Sequence, residues 1–312
     1  MKNCLLILLL SCCFLGFAQQ DPQYSQYMFN HVVINPAYAG SKNALSTTLL
    51  VRKQWVGVSG SPQTNSMSIH GPVKSKHIGL GGHIIAEQIG PKRWGAAYAD
   101  FAYRIKIGSG HLAFGASAGC ISYRYDFAKI SYADPSEVSI NSDELNRNRT
   151  RFDANAGVYY YTNAMFVGYS VTHLNEPNLY DIVFSSNNAS ASALVFNLKR
   201  HHFLTIGRGF LLSDNLVFSP SLIVKSTGLK NGNSVDLNLN FLIKQKLWLG
   251  TSVRSSKTLV LLAQYSISNY FKAGYAFDMG FNKFSRNGGS HEIMLNYSFG
   301  KQKSHIISPR YL

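Results

Sequence analysis

Cysteine is nearly missing from the body of this chain. Three of its four cysteines, Cys4, Cys12 and Cys13, lie close to the N-terminus, and only Cys120 follows. One remaining thiol excludes an intrachain disulfide scaffold and any zinc site built on cysteine pairs, so Cys120 is expected to be a small strand residue. Long apolar runs are missing too. Beyond the N-terminus nothing approaches the roughly 20 apolar residues that a helix needs to cross a bilayer, so the body enters a membrane as strands or not at all. Charge is sparse, at 14% of residues, where soluble domains carry about 25%. Acidic residues are the scarcer sign, 15 against 30 Lys and Arg, which leaves +15. Those basic residues are dispersed and form no helix or arm, so no nucleic acid is expected as a partner. Scattered positive charge suits loops that meet lipid phosphates and a polar channel lining.

Catalytic and metal constellations are missing as well. His291-Glu292-Ile293-Met294-Leu295 begins like a zinc-protease motif, but Leu295 stands where the second histidine belongs and the segment alternates as a strand. His201 and His202 are chain neighbours at a strand start and point to opposite faces, so they cannot jointly chelate one ion. Gly79, Gly81 and Gly82 lack the strand-to-helix setting of a phosphate loop and fit barrel curvature or small-residue packing. No serine or cysteine nucleophile has a base beside it. The sequence therefore predicts no catalytic residue, no cofactor and no metal.

What is present is alternation. Val235, Leu237, Leu239, Phe241 and Ile243 share one face of a strand, while Asp236, Asn238, Asn240 and Lys244 share the other. Segments of this kind recur near 44–55, 63–71, 76–88, 93–107, 110–125, 151–161 and 164–173. Seven more lie near 200–211, 215–227, 233–244, 246–255, 257–267, 270–279 and 290–300, giving about fourteen. A soluble sandwich has the same rhythm, so targeting, turns and aromatics must decide. Residues 1–18 carry one positive charge at Lys2, an apolar run and a small residue at Ala18, a secretory signal cleaved after Ala18. A lipoprotein signal ending at Cys12 is the alternative. Aromatics reach 13%, as interfacial girdles require, and the links alternate between short turns and long loops, 126–150 and 174–199 being the longest. The fold class expected is all-β: a transmembrane antiparallel β-barrel of about 14 strands in the outer membrane, termini and tight turns in the periplasm.

Leu259, Leu261, Ala263, Tyr265 and Ile267, with Phe271, Ala273, Tyr275 and Phe277, are expected to meet lipid. The lumen is expected to be wet and ion-paired, lined by Tyr98, Asp100, Arg104, Lys106, Lys225, Asp236, Lys244, Arg254, Lys272 and Asp278. The chain divides into a signal peptide (1–18), an N-terminal plug or lead-in (19–43), the barrel (44–300) and a basic periplasmic tail (301–312). Pro22 and Pro36 break strand pairing, and Asn35-Pro36 and Ala39-Gly40 favour turns, so the lead-in is expected to fold against or into the barrel.

That lead-in, Asp21-Pro22-Gln23-Tyr24-Ser25-Gln26 followed by Asn35-Pro36-Ala37-Tyr38-Ala39-Gly40, is the most distinctive stretch. With Arg52, Gln54-Trp55, Gly57, 60–64, Pro220-Ser221-Leu222, Lys225 and Ser290-His291-Glu292-Ile293 it resembles the PorP/SprF family of type IX secretion outer-membrane proteins of Bacteroidota. The resemblance implies a fatty-acid-transporter-like barrel that helps secrete or tether a large adhesin bearing a type B C-terminal sorting domain, in gliding and surface display. It also implies other type IX components as partners, among them a periplasmic peptidoglycan-binding protein. Composition and spacing alone stop at an exported barrel in outer-membrane lipid. Candidate partner-binding residues are Asn35, Pro36, Tyr38, Gly40 and Trp55, with Arg147 and Arg149 in the first long loop, where Asp134, Glu137, Asp143 and Glu144 supply the opposite sign. The reading is a non-enzymatic secretion component; the alternative is a transporter for a hydrophobic or small polar solute.

Overall fold

Ser234–Ile243 shows why this chain makes strands. In the computed structural model Asp236, Asn238, Asn240 and Leu242 are buried while Val235, Leu237 and Phe241 are exposed. The greasy row faces outward and the polar row inward, which is stable only if the outer solvent is lipid. The structure describes residues 21–42, 44–73, 77–126, 148–186, 189–228, 232–281 and 288–299. The signal peptide, the 301–312 tail and most of the charged first loop, Arg147 included, lie outside these residues.

The first strands are β1 (Leu45–Lys53), β2 (Gln63–Pro72), β3 (Ile78–Ile89), β4 (Lys92–Ile107), β5 (Gly110–Tyr125), β6 (Arg149–Tyr161) and β7 (Met165–Thr172). A hairpin of β8 (Asn178–Ser186) and β9 (Ala189–Asn197) follows, then β10 (His201–Arg208), β11 (Phe210–Ser213) and β12 (Leu216–Ser226). The last are β13 (Ser234–Ile243), β14 (Leu247–Arg254), β15 (Thr258–Ser266), β16 (Phe271–Gly280) and β17 (Ser290–Phe299). Every barrel pairing is antiparallel: neighbours pair in order, β7 skips to β10, β10 and β11 both pair with β12, and β17 returns to β1. Because β10 and β11 are one strand interrupted at Gly209, the result is a closed barrel of fourteen strands. Closure leaves no unpaired edge, the condition for strands in hydrocarbon.

The expected strands are therefore the observed ones, with three corrections. The 174–199 loop contains the β8–β9 hairpin, which forms a separate two-stranded sheet. Its run Ile182-Val183-Phe184, β-branched and aromatic, favours a strand. Lys244 does not line the lumen: it is exposed, and with Gln245 forms a turn with φ of 49 and 58, positive at both central positions as a tight hairpin demands. Lys106, near the end of β4, is also exposed. Cys120 sits on the outward face of β5, a free thiol.

The lumen holds the ion pairs expected, among them Lys225, Arg254 and Asp278, but it also carries an apolar belt. Leu50, Val260, Leu262, Ala276 and Met294 project inward from the wall and pack with Tyr24, Tyr27, Met28 and Phe29 of the N-terminal segment. This segment makes three short 3-10 turns, Tyr27–Phe29, His31–Val33 and Pro36–Tyr38, and from Tyr24 to Lys42 is buried almost throughout. An apolar belt on the inner wall stays dry because the chain's own lead-in covers it.

Candidate functional site

The N-terminal segment runs the height of the barrel. At the short-turn rim Gly40 donates its N–H to His70 Nδ1 at 3.2 Å, and Arg104 donates to the Gly40 carbonyl. Midway, the Ile34 carbonyl accepts from Ser170 Oγ at 2.6 Å and Asn30 Oδ1 from Ser68 Oγ at 2.7 Å. At the long-loop rim Asp21 meets His173. The N-terminal end of the described chain thus lies among the long loops, not at the short-turn rim where both termini were expected.

The Asn35–Gly40 element explains its own sequence. Asn35 Oδ1 accepts from Ala37 N at 3.0 Å and so caps the turn that Pro36 opens, while its amide donates to the Val158 carbonyl at 3.2 Å. Tyr38 is fully buried between His31 (5.1 Å between centroids), His70 (5.3 Å) and Tyr159 (5.4 Å). Gly40 has φ of 69, and a Cβ there would stand 2.6 Å from Gly79 Cα. On β5, a Cβ at Gly115 would collide with the Ala37 backbone. Gly79 thus serves small-residue packing.

Nearer the long loops lies a buried charge network. Arg52 on β1 pairs with Asp278 on β16 at 2.7 Å and with Glu292 on β17 at 3.2 Å, all three almost fully buried. Both Glu292 oxygens also accept backbone amides of the segment, Ser25 N at 2.8 Å and Gln26 N at 2.7 Å. Ser25 Oγ donates to Asp278 and accepts from Arg52. Arg254 bridges Asp278 and Asp236, and Lys225 closes the ladder on Asp236 at 3.0 Å. Residues far apart in the chain, Tyr24-Ser25-Gln26, Arg52, Lys225 and Glu292, were grouped only by resemblance; here they line one end of the lumen.

Above them a cavity of about 280 Å³ opens among the long loops. Its walls are both greasy and polar: Tyr24, Trp94, Phe203 and Ile223 face it, as do Asp21, His173 and His201. The root of the β8–β9 hairpin leans over one side, burying Leu179 and Leu198 against Trp94, Ile121 and Tyr123. His173 follows β7 with φ of 56, a left-handed conformation that costs a non-glycine residue about 1–2 kcal/mol. Side chains hold it there. Its Nδ1 meets Asp153 Oδ2 at 2.8 Å, its Nε2 meets Asp21 Oδ1 at 2.9 Å, and its backbone N–H donates to Asn155 Oδ1. Tyr98 adds a 2.7 Å hydrogen bond to Asp153. Burial works against an imidazolium at His173, but the flanking Asp21 and Asp153 outweigh it and raise its pKa to about 10. Burial likewise pushes the Asp21 carboxyl up, yet His173, His201 and Lys92 hold it well below the usual carboxylate range.

Of the candidate partner-binding residues, Asn35, Pro36, Tyr38 and Gly40 are buried in the lumen, and the contacts described above are with the chain's own wall. Trp55 is half-buried in the loop after β1, its backbone N–H donating to Ser290 Oγ at 3.2 Å. Arg149 opens β6 at the same rim. Sequence reasoning missed Asp21, Asp153, His173 and His201 as a group, since 152 residues separate Asp21 from His173 and no motif spacing links them.

A closed barrel with a greasy outside and a lumen filled by its own N-terminal segment defines an outer-membrane β-barrel protein. The particular family follows from sequence: the model of the type IX secretion system membrane protein PorP/SprF matches residues 16–297, and the chain belongs to that family. Among solved structures it is similar to the CymD monoaromatic hydrocarbon channel, at 13% identity over 93% of this chain and 96% of that one, with a TM-score of 0.52. It is also similar to the P. putida toluene transporter TodX, at 10% identity over 93% of this chain and 97% of that one, TM-score 0.49. The Acinetobacter baumannii outer membrane protein Omp33 matches at 9% identity over 83% of this chain and 100% of that one, TM-score 0.48. At these identities the likeness concerns the fold alone. No curated protein matches the chain.

Proposed function

We propose that this barrel is a non-enzymatic type IX component that assists export or surface attachment of a large adhesin by receiving its type B C-terminal sorting domain at the long-loop rim. The observation carrying this reading is the filled lumen: residues 24–42 pack against the inner wall, so the working surface is the rim and the outer wall. Trp55 and Arg149 are the rim residues assigned to the partner, with Arg147 of the 126–150 loop assigned from its sequence, where Asp134, Glu137, Asp143 and Glu144 supply the opposite sign. A peptidoglycan-binding protein would meet the short-turn side, where β17 ends at Phe299. Deleting the chromosomal copy and measuring surface display of each sorting-domain adhesin tests the proposal. Loss of at least one adhesin from the surface is expected, and unchanged display of all of them overturns it.

The cavity favours a second reading, transport of a hydrophobic or small polar solute, because aromatic and polar groups converge in it as in a ligand site. Reconstituted vesicles separate the two. Solute flux that rises when Gln20 to Gly40 are trimmed supports a plugged transporter, whereas co-purification of a secreted adhesin supports the secretion role.

A further inference from the structure

The geometry points to a divalent metal site of the zinc type, formed by Asp21, His173 and His201, that fastens the tip of the N-terminal segment to the long-loop rim. One ligand atom from each of the three lies within 4.8 Å of the others. Zinc takes imidazole nitrogen and carboxylate oxygen at about 2.0–2.2 Å in a tetrahedron, so these side chains close on it by moving about an ångström. The supporting partners are those a metal histidine uses. His173 Nδ1 is held by Asp153, itself fixed by Tyr98, a carboxylate–histidine pair that orients the ring and turns Nε2 toward Asp21 Oδ1 at 2.9 Å, a contact that the metal would replace by bridging the two. His201 is anchored through Nδ1 on the Lys199 carbonyl at 2.9 Å, and the same nitrogen lies 3.7 Å from Asp21 Oδ2.

A second observation points to a ligand at this place. His201 is 5% exposed, lines the cavity, and its Nε2 is buried with no hydrogen-bond partner. An orphaned buried nitrogen carries a desolvation penalty, which a bound cation removes. Three protein ligands leave one tetrahedral position, which opens to the cavity and takes water. His202, the chain neighbour, points outward to the Tyr169 hydroxyl at 2.8 Å and has no part in the site.

The test uses the mature full-length barrel in detergent, purified without a histidine tag, stripped with EDTA, given Zn²⁺ alone and desalted. About one zinc per chain is expected to remain, with a higher melting temperature than the stripped protein. His201→Ala and Asp21→Asn should each lose it, Asp153→Asn should weaken affinity about 10–100-fold, and His202→Ala should keep it. Heat-modifiable gel migration confirms that each variant is folded. X-ray absorption at the zinc edge of the wild type needs no variant and should show two imidazoles. No retained zinc, equal retention by His201→Ala and Asp21→Asn, or a first shell without two imidazoles overturns the site.

Discussion

A single side chain, Arg52, ties the two ends of this chain together. Its guanidinium reaches from the first strand to Asp278 and Glu292 on the last two, and to Ser25 in the lumen, with 1% of its side chain exposed. The energy at stake depends on what is left behind. Removing one member of a buried ion pair strands the other charges without water, a loss of about 3–5 kcal/mol. An exposed pair is worth about 0–1 kcal/mol, because solvent screens it. Arg200 and Glu176, 3.7 Å apart with 53% and 35% of their side chains exposed, supply the comparison in the same molecule. Arg52→Ala should lower unfolding stability in lipid vesicles by about 3–5 kcal/mol, while Arg200→Ala should change it by no more than about 1 kcal/mol. Urea titrations that show equal losses for the two would remove the network from its structural role.

The N-terminal segment is an element without regular hydrogen-bonded length, so its place depends on how closely the wall lets it approach. Gly115 on β5 admits the Pro36–Tyr38 turn, and a side chain there would enter the Ala37 backbone. Next to it Ala116 faces outward and is exposed. Gly115→Val should therefore push the turn out of its seat and open the segment to proteolysis between Asn30 and Tyr38, while Ala116→Val, which places the same valine side chain on the lipid face, should leave it protected. Cleavage of both or of neither, read by mass spectrometry of the digested barrel, would contradict this seating. The contrast also shows what could be read from residue order. Strands were legible because a period of two is local, and Leu237, Asn238, Leu239 and Asn240 declare their faces within four residues. Plug-forming residues were legible only as chemistry unsuited to strands, Pro22 and Pro36 above all. Their path was not, because it is set by contacts such as Ser25 with Asp278, 253 positions apart. The Asp21, His173 and His201 cluster stayed hidden for the same reason, although His201 was seen to point away from His202.

At the scale of the whole molecule the two rims are unlike, and the chain's direction through the lumen links them. Strands turn tightly after β4 and β13, on the rim where β1 starts and β17 ends, and the β8–β9 hairpin rises from the other. Outer-membrane barrels keep short turns in the periplasm and long loops outside. The segment leaves β1 at the periplasmic rim yet reaches Asp21 at the opposite one, where His173 receives it. Asp21 and the end of β17 at Phe299 should accordingly sit on opposite sides of the membrane, even though β1 and β17 are paired from Leu45 with Phe299 onward. An epitope placed just ahead of Asp21, after the signal, should stain on intact cells. One placed after Phe299 should stain only when the outer membrane is permeabilised. If the first epitope also needs permeabilisation, the segment does not thread the barrel from rim to rim, and the contacts of Asp21 and Ser25 at the long-loop end fall with it.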